Sequence, residues 1–290
     1  MSARGAGIRT RVWCFTPNPV LETRFESKSG RRTVSAGGKA HNVARQLRRW
    51  GISVISLVPH CGEDWLFAAK RDKAPIIPLP VRAPARKGWA VVDETGRRLD
   101  YFSPDMAWKE SEWNATAAFL QKRITEGDWL VVAGSVPRGA SSGWWRILFQ
   151  ELKKRGVRML VDSRGPVMRE ALEAGVDWAK GNLHEAEETM GGRGGKNCLQ
   201  RMRKRARNRS SCVITLGSSG LLVQANVGRL RVRSPNIRLR DATGSGDVVT
   251  AALVYGCLKG WSMQKTAEWA ARMGAANAAR PDVCKLSLRG

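Results

Sequence analysis

Short β-rich runs and helical stretches take turns along nearly the whole of this 290-residue chain. No other feature constrains the fold as much. Strands separated by helices pair in parallel and bury both faces of their sheet. The composition and spacing predict strands at 12–16, 53–58, 129–133, 157–162, 177–180 and 212–216, and helices at 41–50, 111–123, 142–155, about 167–174, about 196–208, about 245–258 and 263–280. In the first helix Val43, Leu47 and Trp50 fall at i, i+4 and i+7. Residues 221–225 and 229–233 flank Asn226-Val227-Gly228 and read as a hairpin. The pattern predicts a doubly wound, mostly parallel α/β sheet flanked by helices. One hairpin breaks the alternation: 89–93 and 98–102 around Glu94-Thr95-Gly96. With part of 12–35 it is expected to make a small separate sheet. Residues 71–88, rich in proline and basic residues, read as a loop. Neither an internal repeat nor a linker divides the chain, so a single domain over 1–290 is expected.

Composition narrows the function classes. Hydrophobic residues make up 42%, enough for a sizeable core and against general disorder. The longest apolar runs are too short to cross a bilayer, so no membrane role is expected. The start, MSARGAGIRTRVWC, has arginine but no apolar stretch and does not read as a secretory signal. Six cysteines at 14, 61, 198, 212, 257 and 284 form no CxxC and no zinc spacing, and they read as reduced thiols of a cytoplasmic protein. The net charge of +25 raises the question of polyanions. The only dense run, 193–209, carries eight basic and no acidic residues. No RNP, KH, zinc-finger or leucine-zipper pattern accompanies it. It reads as a solvated face, with weak salt-sensitive attraction to polyanions and no specific nucleic-acid function.

Two segments carry chemistry. Asp241-Ala242-Thr243-Gly244-Ser245-Gly246-Asp247 precedes the apolar run VVTAALVYG. Its glycines allow close backbone approach, and the following helix presents unpaired N–H groups and its positive end, together an anion hole. An acid there repels phosphate unless it takes a proton from an attacking hydroxyl, and Asp247 is spaced for that task. The plainer reading is a glycine-rich helix cap with an N-terminal aspartate. Gly37-Gly38-Lys39-Ala40-His41-Asn42-Val43-Ala44 likewise puts glycines before a helix, now with a lysine that could pair with a phosphate or carboxylate. Its plainer reading is a turn with a solvated lysine. It is not a Walker A loop.

In this order the two segments resemble those of the ribokinase-like (PfkB) carbohydrate kinases. Further stretches resemble the family's hexose-phosphate branch, which includes 1-phosphofructokinases and tagatose-6-phosphate kinases. Thr16-Pro17-Asn18-Pro19-Val20-Leu21-Glu22 is similar to its T-L-N-P-A-x-D, and GGKAHNVARQLRRWG to its GGKGxNVAxxLxxLG. Gly134-Ser135-Val136-Pro137-Arg138-Gly139 is similar to G-S-L-P-x-G, Lys180-Gly181-Asn182-Leu183-His184-Glu185 to K-P-N-x-x-E, and Thr215-Leu216-Gly217-Ser218-Ser219-Gly220 to S-L-G-x-x-G. The matches run in family order from residue 12 to about 279.

The resemblance implies a ribokinase-like fold with a small β-sheet lid near 12–35 and 89–102, and transfer of the γ-phosphoryl group of ATP, with Mg²⁺, to a sugar hydroxyl. Asp247 is the implied base, and the N–H groups of Gly244, Ser245 and Gly246 meet charge on the transferred group. Asn182 and Glu185 position Mg²⁺ through water. Thr215, Gly217 and Gly220 line the nucleotide site, and Asn277 reaches the adenine. Lys39 and Arg86 hold a phosphate already on the sugar, while Asn18, Glu22, Gly38 and Asn42 contact its hydroxyls. Departures fall mostly on the sugar side. Glu22 stands for an aspartate, Ala40 for a glycine beside the sugar, Gly88 for a polar residue, Gly181 for a proline and Ser245 for an alanine. The implied acceptor is a phosphorylated ketohexose of the fructose 1-phosphate or tagatose 6-phosphate type. The alternatives are a free sugar or nucleoside, or a weakly active ligand-binding relative. Lids of this family often pair, which implies a homodimer through the same segments.

Overall fold

The computed structural model describes residues 10–93 and 98–288. Its strands are β1 (Val12–Phe15), β2 (Val20–Glu26), β3 (Arg31–Gly37), β4 (Val54–Pro59), β5 (Ile76–Leu79), β6 (Arg86–Val92), β7 (Arg98–Phe102), β8 (Trp129–Ala133), β9 (Arg158–Asp162), β10 (Trp178–Asn182), β11 (Ser211–Thr215), β12 (Leu221–Ala225) and β13 (Gly228–Val232). The α-helices are α1 (Lys39–Arg49), α2 (Glu63–Ala69), α3 (Glu110–Arg123), α4 (Trp144–Lys154), α5 (Gly165–Ala174), α6 (Leu183–Met190), α7 (Gly195–Arg205), α8 (Ser245–Leu258) and α9 (Met263–Ala278).

The main sheet runs β13-β12-β11-β10-β9-β8-β1-β4-β5. It is parallel from β11 to β5, and β12 and β13 join antiparallel at one edge. Strands such as β8 (WLVVA) are buried along their whole length, because helices cover both faces. One layer packs α3, α4, α5 and α7 around Trp113, Trp144, Trp145 and Phe149, and the other packs α1, α8 and α9 around Trp50, Tyr255 and Trp269. The strand order reverses at β1, which lies between β4 and β8. In open α/β sheets that reversal opens a crevice at the carboxyl ends of the strands. The loops after β1, β8, β9 and β10 carry Asn18, Ser135, Arg164 and the start of α6 into it.

A second sheet, β3-β2-β6-β7, stands over this crevice. Its register puts Val20, Glu22, Gly88 and Phe102 on the face toward the crevice, and Phe25, Val34, Trp89, Leu99 and Tyr101 on the other.

The expected small sheet does use part of 12–35, in β2 and β3, while 12–15 is the central strand β1; its second segment begins at Arg86 rather than 89. Segment 71–88 holds β5, where Pro78 is tolerated because β5 is an edge strand. The short helices α2 and α6 escaped the periodicity reading because each has only two turns. The expected turn at Glu94-Thr95-Gly96 lies outside the described residues.

Candidate active site

Helix α8 starts at Gly244, whose φ of 74° is left-handed. A Cβ there would lie 2.5 Å from Val283 Cγ1 and 2.8 Å from Cys284 Sγ, so only glycine fits. Among the described residues the N–H groups of Gly244 and Gly246 find no acceptor, whereas that of Ser245 donates to the Ala242 carbonyl (3.1 Å). The expected three-donor anion hole therefore keeps two of its donors. Asp247 follows in the first turn and is 6% exposed. Burial pushes its carboxyl up to about 6, against the pull of Lys39 and of the hydrogen bond from Asn42. Such a group is ionised at neutral pH yet basic enough to accept a proton.

Asn42 Nδ2 donates to Asp247 Oδ2 at 2.7 Å. The amide is itself held, since Arg45 donates to Asn42 Oδ1 (2.7 Å) and reaches Asp72 Oδ1 (3.2 Å). The other Asp72 oxygen meets His41 Nε2 (3.0 Å), and His41 Nδ1 meets Ser56 Oγ (2.9 Å). Burial lowers the His41 pKa despite Asp72, so the ring is neutral, with its proton on Nε2 toward the carboxylate. Asp72 is held below the usual carboxylate range because the bonds from His41 and Arg45 outweigh its burial. A buried polar chain thus runs from Ser56 to Asp247.

Lys39, first in α1, follows Gly38, whose φ is 138° and where a Cβ would lie 2.4 Å from Thr16 Cγ2, so only glycine fits. Its Nζ donates to Glu185 Oε1 at 2.9 Å. Burial alone would lower the Lys39 pKa, but Asp162, Glu185 and Asp247 together push it up. Glu185 and Asn182 form a reciprocal cap on α6: Asn182 Oδ1 accepts from Glu185 N (2.8 Å), and Glu185 Oε2 accepts from Asn182 N (3.0 Å). Beneath them Lys180 Nζ donates to the fully buried Asp162 (2.7 Å), which Thr250 of α8 also binds (2.7 Å). These two charges were not singled out from sequence, although each closes an apolar run, where α/β sheets present functional groups.

Asp247 itself lines neither of two neighbouring cavities, but its partner Asn42 lines one and the adjacent Gly246 lines the other. One, of about 260 Å³, lies under the small sheet and is lined by Asn18, Glu22, Gly38, Lys39, Asn42, Arg86 and Glu185, and also by Ser135 and Arg164. Asn18 Nδ2 donates to Ser135 Oγ (2.9 Å) and Asp105 Oδ1 (2.8 Å). Arg86 pairs with the same Asp105 and lies over the Phe102 ring (5.4 Å), while its buried Nε has no partner among the described residues. The second, of about 520 Å³, is lined by Asn182, Thr215, Gly217, Gly220, Ser245 and Gly246. Arg24 of β2 pairs with Asp241 and ties the small sheet to the loop before α8.

Two residues sit elsewhere than expected. Asn277 is fully buried and does not line the second cavity. Its amide donates to Thr243 O (2.8 Å) and Ser245 Oγ (3.0 Å), and its oxygen accepts from Cys284 N (2.9 Å), so it braces the glycine turn. Ala40 points into the core under α1 and not toward the sugar cavity. Gly88 has a plain packing reason, because Val20 and Phe102 fill the space a side chain would need.

Among the described residues no cluster of three or more His, Cys, Asp or Glu could hold a metal. Asn182 and Glu185 are hard oxygen donors that suit Mg²⁺. Both Glu185 oxygens are engaged by Lys39 and Asn182, so a cation there would meet the carboxylate through water.

Residues 14–288 match the profile of the pfkB family carbohydrate kinases. The chain is 26% identical over 250 residues to the 1-phosphofructokinase of Rhodobacter capsulatus, covering 82% of this chain and 78% of that one. It is 25% identical over 236 residues to the tagatose-6-phosphate kinase of Staphylococcus epidermidis (strain ATCC 35984), covering 77% and 75%. The fold superposes on the tetrameric inhibited form of phosphofructokinase-2 from Escherichia coli with a TM-score of 0.84 at 21% identity, covering 93% and 94%.

Proposed function

Because the chain belongs to the pfkB family of carbohydrate kinases, and is thereby an ATP-dependent sugar kinase, we propose that its acceptor is a ketohexose already carrying a phosphate, of the fructose 1-phosphate or tagatose 6-phosphate type. The observation that carries this reading is Arg86. Its guanidinium lines the sugar cavity from the lid, over the Phe102 ring, with a buried Nε donor that has no partner among the described residues. A substrate phosphate would satisfy that donor, and arginine pairs with phosphate in two parallel bonds. Lys39 and Arg164 line the same cavity.

In the mechanism we infer, ATP lies in the larger cavity with its γ-phosphate at the start of α8. Asp247, aligned by Asn42, takes the proton of the attacking hydroxyl. The Gly244 and Gly246 N–H groups and the positive end of α8 stabilise charge on the phosphoryl group in flight. Lys39, kept protonated by three carboxylates, neutralises charge beside it. Mg²⁺ bound with ATP would neutralise phosphate oxygens, with Glu185 and Asn182 holding it through water. A cytoplasmic setting suits an ATP consumer with six free thiols. We further propose that a second copy covers the outer lid face, where Phe25, Val34, Trp89, Leu99 and Tyr101 are exposed on a sheet with two open edges.

Arg86→Ala tests the acceptor. It should raise KM for the phosphorylated ketohexose about tenfold or more, the loss of one charge-assisted pair, while turnover of the free sugar changes little. An unchanged preference would refute the phosphate anchor. One observation supports a second reading: Asp105 already pairs with Arg86. If that pair persists during turnover, the cavity takes an unphosphorylated sugar or nucleoside.

A further inference from the structure

A third cavity lies apart from the residues of the candidate site. A cleft of about 930 Å³ opens on the outer face of the α4–α7 layer, by the carboxyl end of α6, away from the end that carries Glu185. It is lined by Arg146 of α4, by Arg201, Lys204 and Arg205 of α7, and by Arg207 and Arg209 in the turn that follows. Among the described residues that line it, Glu173 is the only carboxylate. Glu173 is already shared: it pairs with Arg205 and Arg146, and its backbone carbonyl accepts from Arg209 (2.8 Å). Arg201 is held by Asn197 Oδ1 (3.0 Å) and the Met190 carbonyl (3.2 Å). Lys204 and Arg207 have no carboxylate partner among the described residues. The cleft therefore combines arginines fixed in place with free cations, on a concave wall where potential is focused.

We propose that this cleft binds an oligophosphate chain, an anion with three or more linked phosphates, whether free or as the triphosphate tail of a nucleotide. Cations on three successive parts of the fold exceed what a single phosphate can satisfy, and arginine forks match phosphate oxygens in pairs. Among the described residues no aromatic side chain lines the cleft. Single-stranded nucleic acid and nucleotide bases bind largely by stacking on aromatic rings. The chemistry of the wall thus selects the phosphate chain and ignores the base. The sequence reading of 193–209 as a merely solvated face is thereby sharpened, since its cations converge with Arg146 from a distant helix.

Titration calorimetry on the full chain with sodium tripolyphosphate, at low salt and without divalent metal, tests this. Lys204→Glu/Arg207→Glu should weaken one binding component about 100-fold, from two lost charge-assisted contacts. Arg48→Glu/Arg49→Glu makes the same charge change at the exposed end of α1, in the opposite layer, and should shift that component by less than about twofold, because salt screens distant charges. Lys204→Gln/Arg207→Gln should weaken it about tenfold and serves if the double glutamate variant fails to fold. ATP should show the same cleft component at the affinity of tripolyphosphate. Equal losses in the two charge-matched variants, or no component that depends on Lys204 and Arg207, would overturn the proposal. So would a 20-nucleotide RNA held in the cleft more tightly than tripolyphosphate, which would make it a nucleic-acid surface.

Discussion

Replacing Asp247 by asparagine should make the protein more stable and nearly inactive at once. The carboxyl is 6% exposed, and its pKa is raised from an ordinary 3.8 to about 6. The folded state therefore holds this proton more tightly than the unfolded chain. Below about pH 3 the group is protonated in both states and burial costs little. As pH rises through 6 the folded protein must carry a buried anion, and stability is lost. The shift of roughly two pKa units corresponds to about 3 kcal/mol at pH 8. Asp247→Asn removes that burden and keeps an oxygen that can accept from Asn42. For a chain of this size the variant should melt about 5 °C above wild type at pH 8, with the difference falling to about a third of that at pH 4.5 and vanishing below about pH 3. Turnover should fall about 10²–10⁴-fold, the usual contribution of a general base. Wild-type kcat/KM should rise with pH around a midpoint near 6, a dependence the variant should lack. Thermal unfolding at four pH values, together with initial rates, checks both. A variant destabilised equally at pH 4.5 and pH 8 would refute the idea that Asp247 is a strained, buried anion.

Asp72→Ala should lower kcat more than tenfold and stability by about 3 kcal/mol, because it leaves the Arg45 cation buried without its carboxylate and frees Asn42 from its brace; Asp72→Asn, which keeps an acceptor for Arg45, should recover much of both in the same rate and urea-unfolding assays. For the lid, light scattering at micromolar concentration should give a dimer mass for wild type and a monomer mass for Trp89→Glu/Tyr101→Glu; a monomeric wild type would refute the pairing.

How far the sequence is legible depends on whether a function is written locally. The glycine turn before α8 and the Lys39 turn before α1 could be read because glycine, a charge and an apolar helical run are adjacent in the chain. The parallel sheet was readable from the same local periodicity. Asn277 was misread because AANAA says nothing about which way α9 faces. Only packing against Thr243, Ser245 and Cys284 turns it inward. Asp72 fell within an apparent loop, and its role depends on partners 27 and 31 positions away in the chain. Lys180 and Asp162 lie on neighbouring strands and become one group only when β9 and β10 pair. The basic cleft was half visible, since 193–209 is one run, but Arg146 joins it only through helix packing. Ala40 illustrates the opposite error, since a departure from the family pattern that looked disruptive for the sugar is accommodated by the core.

The proposed reaction is phosphoryl transfer from ATP to a ketohexose anchored by the phosphate it already carries. Its most direct test is the initial rate of ADP formation by the wild-type protein, with Mg²⁺, on fructose 1-phosphate, tagatose 6-phosphate, fructose 6-phosphate, fructose and ribose. A phosphorylated ketohexose should exceed its free sugar by more than about tenfold in kcat/KM, a difference above about 1.4 kcal/mol in transition-state binding. A free sugar or nucleoside turned over fastest would contradict it.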